Sequence, residues 1–256
     1  MSLLLTLVTS LIQDACAGPD MGNSLPQCNV ENRDGLIPGS ELTPHLSEDS
    51  WARGICKVIT KNGDGKVAMY GTGFLFEVDH PHGPIRGFLT CHHVVTTDFL
   101  HLASPGQIFL EFQAIQQTYT LNKIQNESND PIFSHENDFY FALLSDEFSN
   151  EITKKYGAQF IQAGEAISNE MIIIPQHPDG KERYIATAPI DPSWDAANMM
   201  NVHQVSTKLG SSGAPLLQRS ADEVHVIGIN RGYDQYLKRN MAVTISAIIK
   251  EIKRNI

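Results

Sequence analysis

Cysteine is scarce in this chain and stops early. Cys16, Cys28, Cys56 and Cys91 are the only four, and none lies beyond position 91. Four cysteines without paired spacing exclude a disulfide scaffold and a cysteine-rich metal centre, and they confine any disulfide to the N-terminal third. A reducing compartment is therefore favoured. Positive charge is short as well: 19 Lys and Arg face 29 Asp and Glu, a formal net charge of −10. Nucleic-acid binding needs a basic face, so no nucleic-acid partner is expected. Long apolar runs are missing too. Nothing approaches the roughly 18 consecutive apolar residues of a membrane-spanning helix, so the chain reads as a soluble globular protein with no membrane span.

What is present suits a β-rich fold. Hydrophobic residues make up 41% of the 256 positions, enough for a buried core, and 19 glycines with 13 prolines imply many turns. Such a length fits one large all-β domain or two small subdomains sharing a cleft. Residues 1–48 read as a separate segment. Leu3 to Ile12 is largely apolar, and Ala15-Cys16-Ala17 resembles a leader cleavage site, so secretion through residues 1–17 is one reading. Against it, no Lys or Arg precedes the run, Thr6, Thr9 and Ser10 interrupt it, and cleavage after Ala17 leaves an odd number of cysteines. Leu4, Leu7, Val8, Leu11 and Ile12 equally fit a short amphipathic helix, and a cytoplasmic or other intracellular location is favoured. Residues 17–48 have the scattered Gly, Pro, Asn, Asp and Ser of a loop or linker.

From Trp51 the texture changes. Ile55 to Ile59 and Val67 to Tyr70 flank Lys61-Asn62-Gly63-Asp64-Gly65, a strong hairpin signal. Further short strands are predicted at residues 71–76, 87–90, 108–112, 119–121, 139–144, 171–175, 184–190, 202–205, 215–218, 224–230 and 241–245. Many short strands separated by turn residues predict an all-β barrel or sandwich. Ser246 then opens a helix with Ile248, Ile249, Ile252 and Ile256 on one face.

Two segments carry chemistry. Gly210-Ser211-Ser212-Gly213-Ala214-Pro215 is a small-residue turn presenting a serine. A serine hydroxyl is a poor nucleophile unless a neighbouring base takes its proton during attack. The glycines allow a tight turn in which backbone N–H groups converge, and those of Gly210 and Ser212 are the candidate oxyanion hole. Thr90-Cys91-His92-His93-Val94-Val95 supplies the base. His93 opens a helical turn at the end of an apolar strand, with His92 as its competitor. The third member must be a buried carboxylate that accepts the histidine Nδ1–H. Asp138 immediately precedes the run Phe139 to Leu144, whereas Asp130 and Asp146 start no apolar run.

Taken in order, four blocks resemble the trypsin/chymotrypsin-like serine peptidases: Gly71-Thr72-Gly73-Phe74, Leu89 to Val95, Asn137-Asp138 and Gly210 to Leu216. The wording is nearest the HtrA-type and related non-secreted members, in which the histidine is likewise followed by Val-Val. Gly228-Ile229-Asn230 is similar to those enzymes too. The resemblance implies two perpendicular six-stranded β-barrels, at 49–150 and 151–256, the second ending in the helix. It implies the triad His93, Asp138 and Ser212 in the cleft between them, and a serine endopeptidase acting on protein or peptide substrates without a cofactor. A catalytically inactive fold kept as a binding module is the alternative, and the presence of all three triad residues counts against it.

Departures from that pattern also inform. Ser211 stands where zymogen-activated members carry an aspartate, so activation by a cut N-terminus is not expected. Val94 occupies a place where secreted members have a disulfide cysteine, Ala214 replaces a glycine, and no PDZ module is expected. Ser206 stands where enzymes that cut after Lys or Arg have an aspartate, and Met241 lies near the pocket wall. That predicts a small or apolar P1 side chain, while Asn230 and Arg231 favour an acidic one. The segment Gln176 to Lys181 reads as a turn, with a substrate-facing role as the sharper alternative. Asp79-His80-Pro81-His82, beside His92 and His93, looks metal-like, but its loop setting predicts no catalytic metal. The single sequon at Asn126 matters only for a secreted protein. Oligomeric state is not written in the sequence.

Overall fold

The computed structural model describes residues 43–44, 49–97, 101–220 and 223–256. The leader or amphipathic helix read at residues 3–12, and nearly all of the linker read at 17–48, lie outside the described residues. The turn at Lys61–Gly65 forms as its residues predict. Gly65 has φ +81 and donates to the Asn62 carbonyl at 3.0 Å. It joins β2 (Ile55–Lys61) to β3 (Val67–Val78), paired antiparallel from Ile55 opposite Phe74 to Thr60 opposite Met69. β3 is one twelve-residue strand rather than the two shorter ones its glycines suggest. A Cβ on Gly73 would lie 2.3 Å from the Phe88 ring, so this glycine makes room for a neighbour instead of ending the strand.

β3 continues to β4 (Ile85–Thr90), then to β8 (Phe139–Leu143) and β7 (Ile132–Ser134). On the other side, β2 pairs with β5 (Ile108–Phe112) and β5 with β6 (Gln117–Thr120). The second half runs from β1 (Thr43–Pro44) to β11 (Tyr184–Pro189), β10 (Met171–Gln176) and β13 (Pro215–Ser220). It goes on to β14 (Glu223–Asp234), β15 (Arg239–Thr244) and β12 (Met200–His203). β9 (Ile161–Ala163) joins the halves, parallel to both β3 and β14. Within each half every pairing is antiparallel, and the ladders run as open paths. The result is an all-β architecture in two halves with a terminal helix: the strand pattern predicts the all-β class, and the resemblance implies the division in two.

The core explains why these elements hold together. In the first half Phe74, Phe76, Phe88, Phe112 and Phe141 are fully buried. Phe76 meets Phe141 edge-on at 6.3 Å and 87°, an arrangement aromatic pairs favour. A smaller cluster fills the second half, with Ile172, Ile174, Val205, Leu216 and Ala242. The C-terminal helix Ile245–Asn255 starts two residues earlier than a Ser246 cap predicts, after Thr244, and the Ser246 hydroxyl donates to the Ala196 carbonyl instead of capping. Its buried face is therefore Ile245, Ile248 and Ile252, whereas Ile256 is 53% exposed.

Candidate active site

β4 delivers the candidate base. Its last four residues are buried, and His92–Val95 then form a 3₁₀ turn. Val94 and Val95 are fully buried and clamp that turn to the core, while the His93 side chain remains 31% exposed. Asp138 closes the turn between β7 and β8 with φ +50, a left-handed conformation that aspartate tolerates. Its Oδ1 accepts from the His93 backbone N–H at 3.0 Å, and its Oδ2 lies 2.8 Å from His93 Nδ1. The Arg231 Nε–H donates to the same Oδ2 at 3.3 Å. Burial alone would raise the Asp138 pKa. The charge and hydrogen bonds of His93, together with the Arg231 guanidinium, outweigh it and hold the carboxyl below its ordinary value. An ionised acceptor at Nδ1 keeps the neutral ring's proton there and leaves the Nε2 lone pair for incoming protons.

The competitors fall away on geometry. His92 is buried, stacks on Phe133 at 5.4 Å, and has its pKa lowered by burial. Asp130 and Asp146 are both exposed.

Ser212 is brought to the same place by β13, β14 and β3. The Thr72 N–H donates to the Ser212 carbonyl at 2.8 Å, and the Gly213 N–H donates to the Asn230 carbonyl at 2.8 Å. Gly213 has φ +83, and a Cβ there would lie 2.2 Å from the Thr72 carbonyl oxygen and the Thr90 hydroxyl, so the chain passes this point only as glycine. The Ser212 hydroxyl donates to the Arg231 carbonyl at 3.1 Å. Among the described residues it makes no hydrogen bond to His93, and such bonds commonly tighten only when substrate is bound. Neighbouring Ser211 is fully buried. Its hydroxyl donates to Gln176 and accepts from the Lys208 N–H at 3.0 Å. A neutral polar anchor thus occupies the position where the resemblance implied a missing aspartate.

Cys91, His93 and Asp138 place one potential ligand atom each within 4.8 Å of one another. Hydrogen bonds already engage them: the Cys91 Sγ–H donates to the Asn230 carbonyl at 3.3 Å, and His93 is held by Asp138. Burial, with the nearby Asp138 charge, pushes the Cys91 thiol well up, away from the thiolate that metals prefer.

The residues read as a substrate pocket differ in burial. Ser206 and Asn230 are fully buried, Met241 is half-buried on β15, and Arg231 leans onto Asp138. Asn230 works inside the protein: its Nδ2–H donates to the Ser211 carbonyl at 2.9 Å, and its Oδ1 accepts from His203 Nε2 at 3.0 Å. Thr72 and Gln176, which stood in quoted segments without a role of their own, hold the serine turn from beneath. The one available signal was Thr72 itself, a hydroxyl between two glycines in an otherwise apolar strand.

Two buried histidines make stability pH-dependent. Burial lowers His177 and His203 to about 4 from an ordinary 6.5. Between those values the unfolded chain binds protons that the folded chain refuses. Their stabilising share is complete above pH 6.5 and is lost as pH falls, on the order of 3 kcal/mol for each ring at the acid end. The urea midpoint is therefore expected to be lower at pH 5.0 than at pH 7.5, and the slope to flatten in His203→Gln. Equal midpoints in the wild type would refute this assignment.

The family assignment follows from residues 71–229, which match the trypsin-like peptidase domain. This chain belongs to the trypsin-like peptidase family. That match spans β3, the His93 turn, Asp138, the Ser212 turn and β14 as far as Ile229. Known structures share the fold. A Glu endopeptidase superposes with a TM-score of 0.60 at 15% identity, over 85% of this chain and 97% of its own. A serine endoprotease from Yersinia pestis gives 0.57 at 14%, over 84% and 67%. The serine protease domain of the Sesbania mosaic virus polyprotein gives 0.53 at 16%, over 82% and 96%. No curated protein sequence matches. The architecture is thus the chymotrypsin-like double barrel, and the trypsin-like peptidase domain makes the chain a peptide-bond hydrolase.

Proposed function

We propose that this trypsin-like peptidase is a serine endopeptidase with His93, Asp138 and Ser212 as its triad. The observation that carries this reading is a pair of unclaimed amides. Among the described residues, the N–H groups of Gly210 and Ser212 have no hydrogen-bond partner, while those of Ser211 and Gly213 on either side do. Two preorganised donors beside a serine hydroxyl suit an anion that forms only during reaction.

Ser212 Oγ attacks the scissile carbonyl and gives its proton to His93 Nε2. Asp138 holds the Nδ1–H and stabilises the imidazolium without itself taking the proton. The oxyanion lies against the Gly210 and Ser212 amides. Collapse breaks the C–N bond as His93 protonates the leaving amine, forming an acyl-enzyme that water hydrolyses by the reverse path. With Ser206 in place of a carboxylate, peptides with Lys or Arg at P1 are poor substrates in this reading.

The test is covalent labelling. A fluorophosphonate probe should add to Ser212 in the folded wild type and nowhere else, as located by peptide mass spectrometry, and should leave Ser212→Ala unlabelled. Labelling that persists in the alanine variant would overturn the assignment, and a native wild type that resists the probe would favour the inactive, binding-module reading.

A further inference from the structure

The serine turn holds its backbone in an uneven way. Every carbonyl from Leu209 to Ser212 is taken. Leu209 O accepts from the Asp179 N–H at 2.5 Å, and Gly210 O from the Thr72 hydroxyl at 2.9 Å. Ser211 O accepts from Asn230 Nδ2 at 2.9 Å and the Ala214 N–H at 3.1 Å, and Ser212 O from the Thr72 N–H at 2.8 Å. In a trans peptide the C=O and the following N–H point to opposite sides. Pinning Leu209 O therefore aims the Gly210 N–H away from Asp179, and pinning Ser211 O aims the Ser212 N–H away from Asn230. These are the two amides left unpaired.

The segment that pins Leu209 is built for the task. It is the His177–Lys181 turn, read from sequence as an ordinary loop. Asp179 and Gly180 have φ +55 and +65, which turns the Asp179 amide outward from its own chain. The Gly180 N–H donates to the His177 carbonyl at 3.1 Å, and His177 Nδ1–H donates to the Lys181 carbonyl at 3.1 Å, so the turn closes on itself. The His177 N–H donates at 2.9 Å to the Thr72 hydroxyl, whose own proton goes to Gly210 O. A Cβ on Gly210 would lie 2.5 Å from the His177 carbonyl oxygen, so the two segments meet with no side chain between them.

We propose that the His177–Lys181 turn is a fixed latch that keeps the oxyanion hole formed, with Thr72 as the positioning residue that couples the two. The peptide between Leu209 and Gly210 cannot rotate without breaking the Asp179 bond, and Gly210 cannot shift without breaking the Thr72 bond. The hole is ready without a cleavage, a ligand or a partner to assemble it, and the neutral Ser211–Gln176 bond completes the support from below. This inference rests on Ser212 being the nucleophile.

Thr72→Val, nearly isosteric, deletes the hydroxyl and tests the latch. Loss of one oxyanion donor costs about 10²–10³ in kcat in comparable sites, so a fall of about 10²-fold is expected. KM should change by no more than about twofold, since ground-state contacts are untouched. Affinity for a peptide boronate, whose adduct fills the hole, should drop in step with kcat/KM. The pH midpoint of the acid limb should stay in place, because His93 and Asp138 keep their contacts. Thr72→Ser restores the hydroxyl and should restore the rate. If Thr72→Val does not fold, Gly180→Ala serves instead: its Cβ would press 2.7 Å from the Tyr70 ring and lift the turn, with the same kinetic signature expected. Wild-type kcat in the variant used, alongside an inactive Ser212→Ala, would sink the latch alone. An active Ser212→Ala would sink the underlying reading.

Discussion

Ser212→Ala is expected to lower kcat/KM for a peptide substrate by about 10⁴-fold or more, in line with the loss of a nucleophile from a unit that works as a whole. Stability should hardly move. The hydroxyl makes one hydrogen bond, to the carbonyl of the exposed Arg231, and bonds of this kind contribute about 1 kcal/mol at most once water can replace them. Removing His93 as well should add little, because the base has nothing left to activate. A neighbouring serine cannot stand in. Ser211 is fully buried, and its hydroxyl is engaged with Gln176 and Lys208. Retention of more than about 1% of the rate in Ser212→Ala would therefore place the nucleophile outside this turn, well beyond what residual binding supplies.

The sequence carried most of the fold because turn chemistry and burial agree along most of the chain. Strands with strong boundaries, such as Ile108–Phe112 and Phe139–Leu143, appear almost where the residues put them. Ile132–Ser134 and Ile161–Ala163 are three residues each, too short for any period to show. The helix Asp146–Lys154 escaped because Phe148 and Ile152 are its only apolar residues, although Ser145 caps it by accepting the Phe148 N–H at 3.2 Å. At the site, the triad candidates were legible as residue types in settings: a histidine past an apolar strand, an aspartate before one, a serine among glycines. Direction was not. Asn230 and Arg231 are neighbours on β14, yet one turns inward to Ser211 and the other out to Asp138, at a bulge between Asn230 and Gly232. Neighbours in a strand face opposite ways, but which of the two faces inward depends on register, and spacing along the chain does not give the register beside a bulge. The latch was hidden for a related reason: its working atoms are the Asp179 amide and the Thr72 hydroxyl, and a backbone amide leaves no mark in a residue pattern.

Asp138→Asn should cost about 10⁴-fold in kcat at neutral pH through the tautomer of His93. The carboxylate accepts two hydrogen bonds from His93, one from its backbone N–H and one from Nδ1–H, and a third from Arg231. An asparagine has one accepting oxygen. If that oxygen takes the Oδ1 place and serves the backbone N–H, the amide NH₂ takes the Oδ2 place, faces Nδ1 and makes it an acceptor. The ring's proton then sits on Nε2, where Ser212 needs a lone pair, and proton abstraction fails. Asparagine tolerates φ +50 as well as aspartate does, and the two side chains are nearly isosteric, so the turn between β7 and β8 should survive and the melting temperature should stay within a few degrees. KM should be little changed, because Asp138 is 6% exposed and lies behind the ring. Those expectations separate tautomer control from structural damage. A variant with full kcat would show that Asp138 does not orient the base, and one that loses kcat together with its folding transition would make the carboxylate a structural support only.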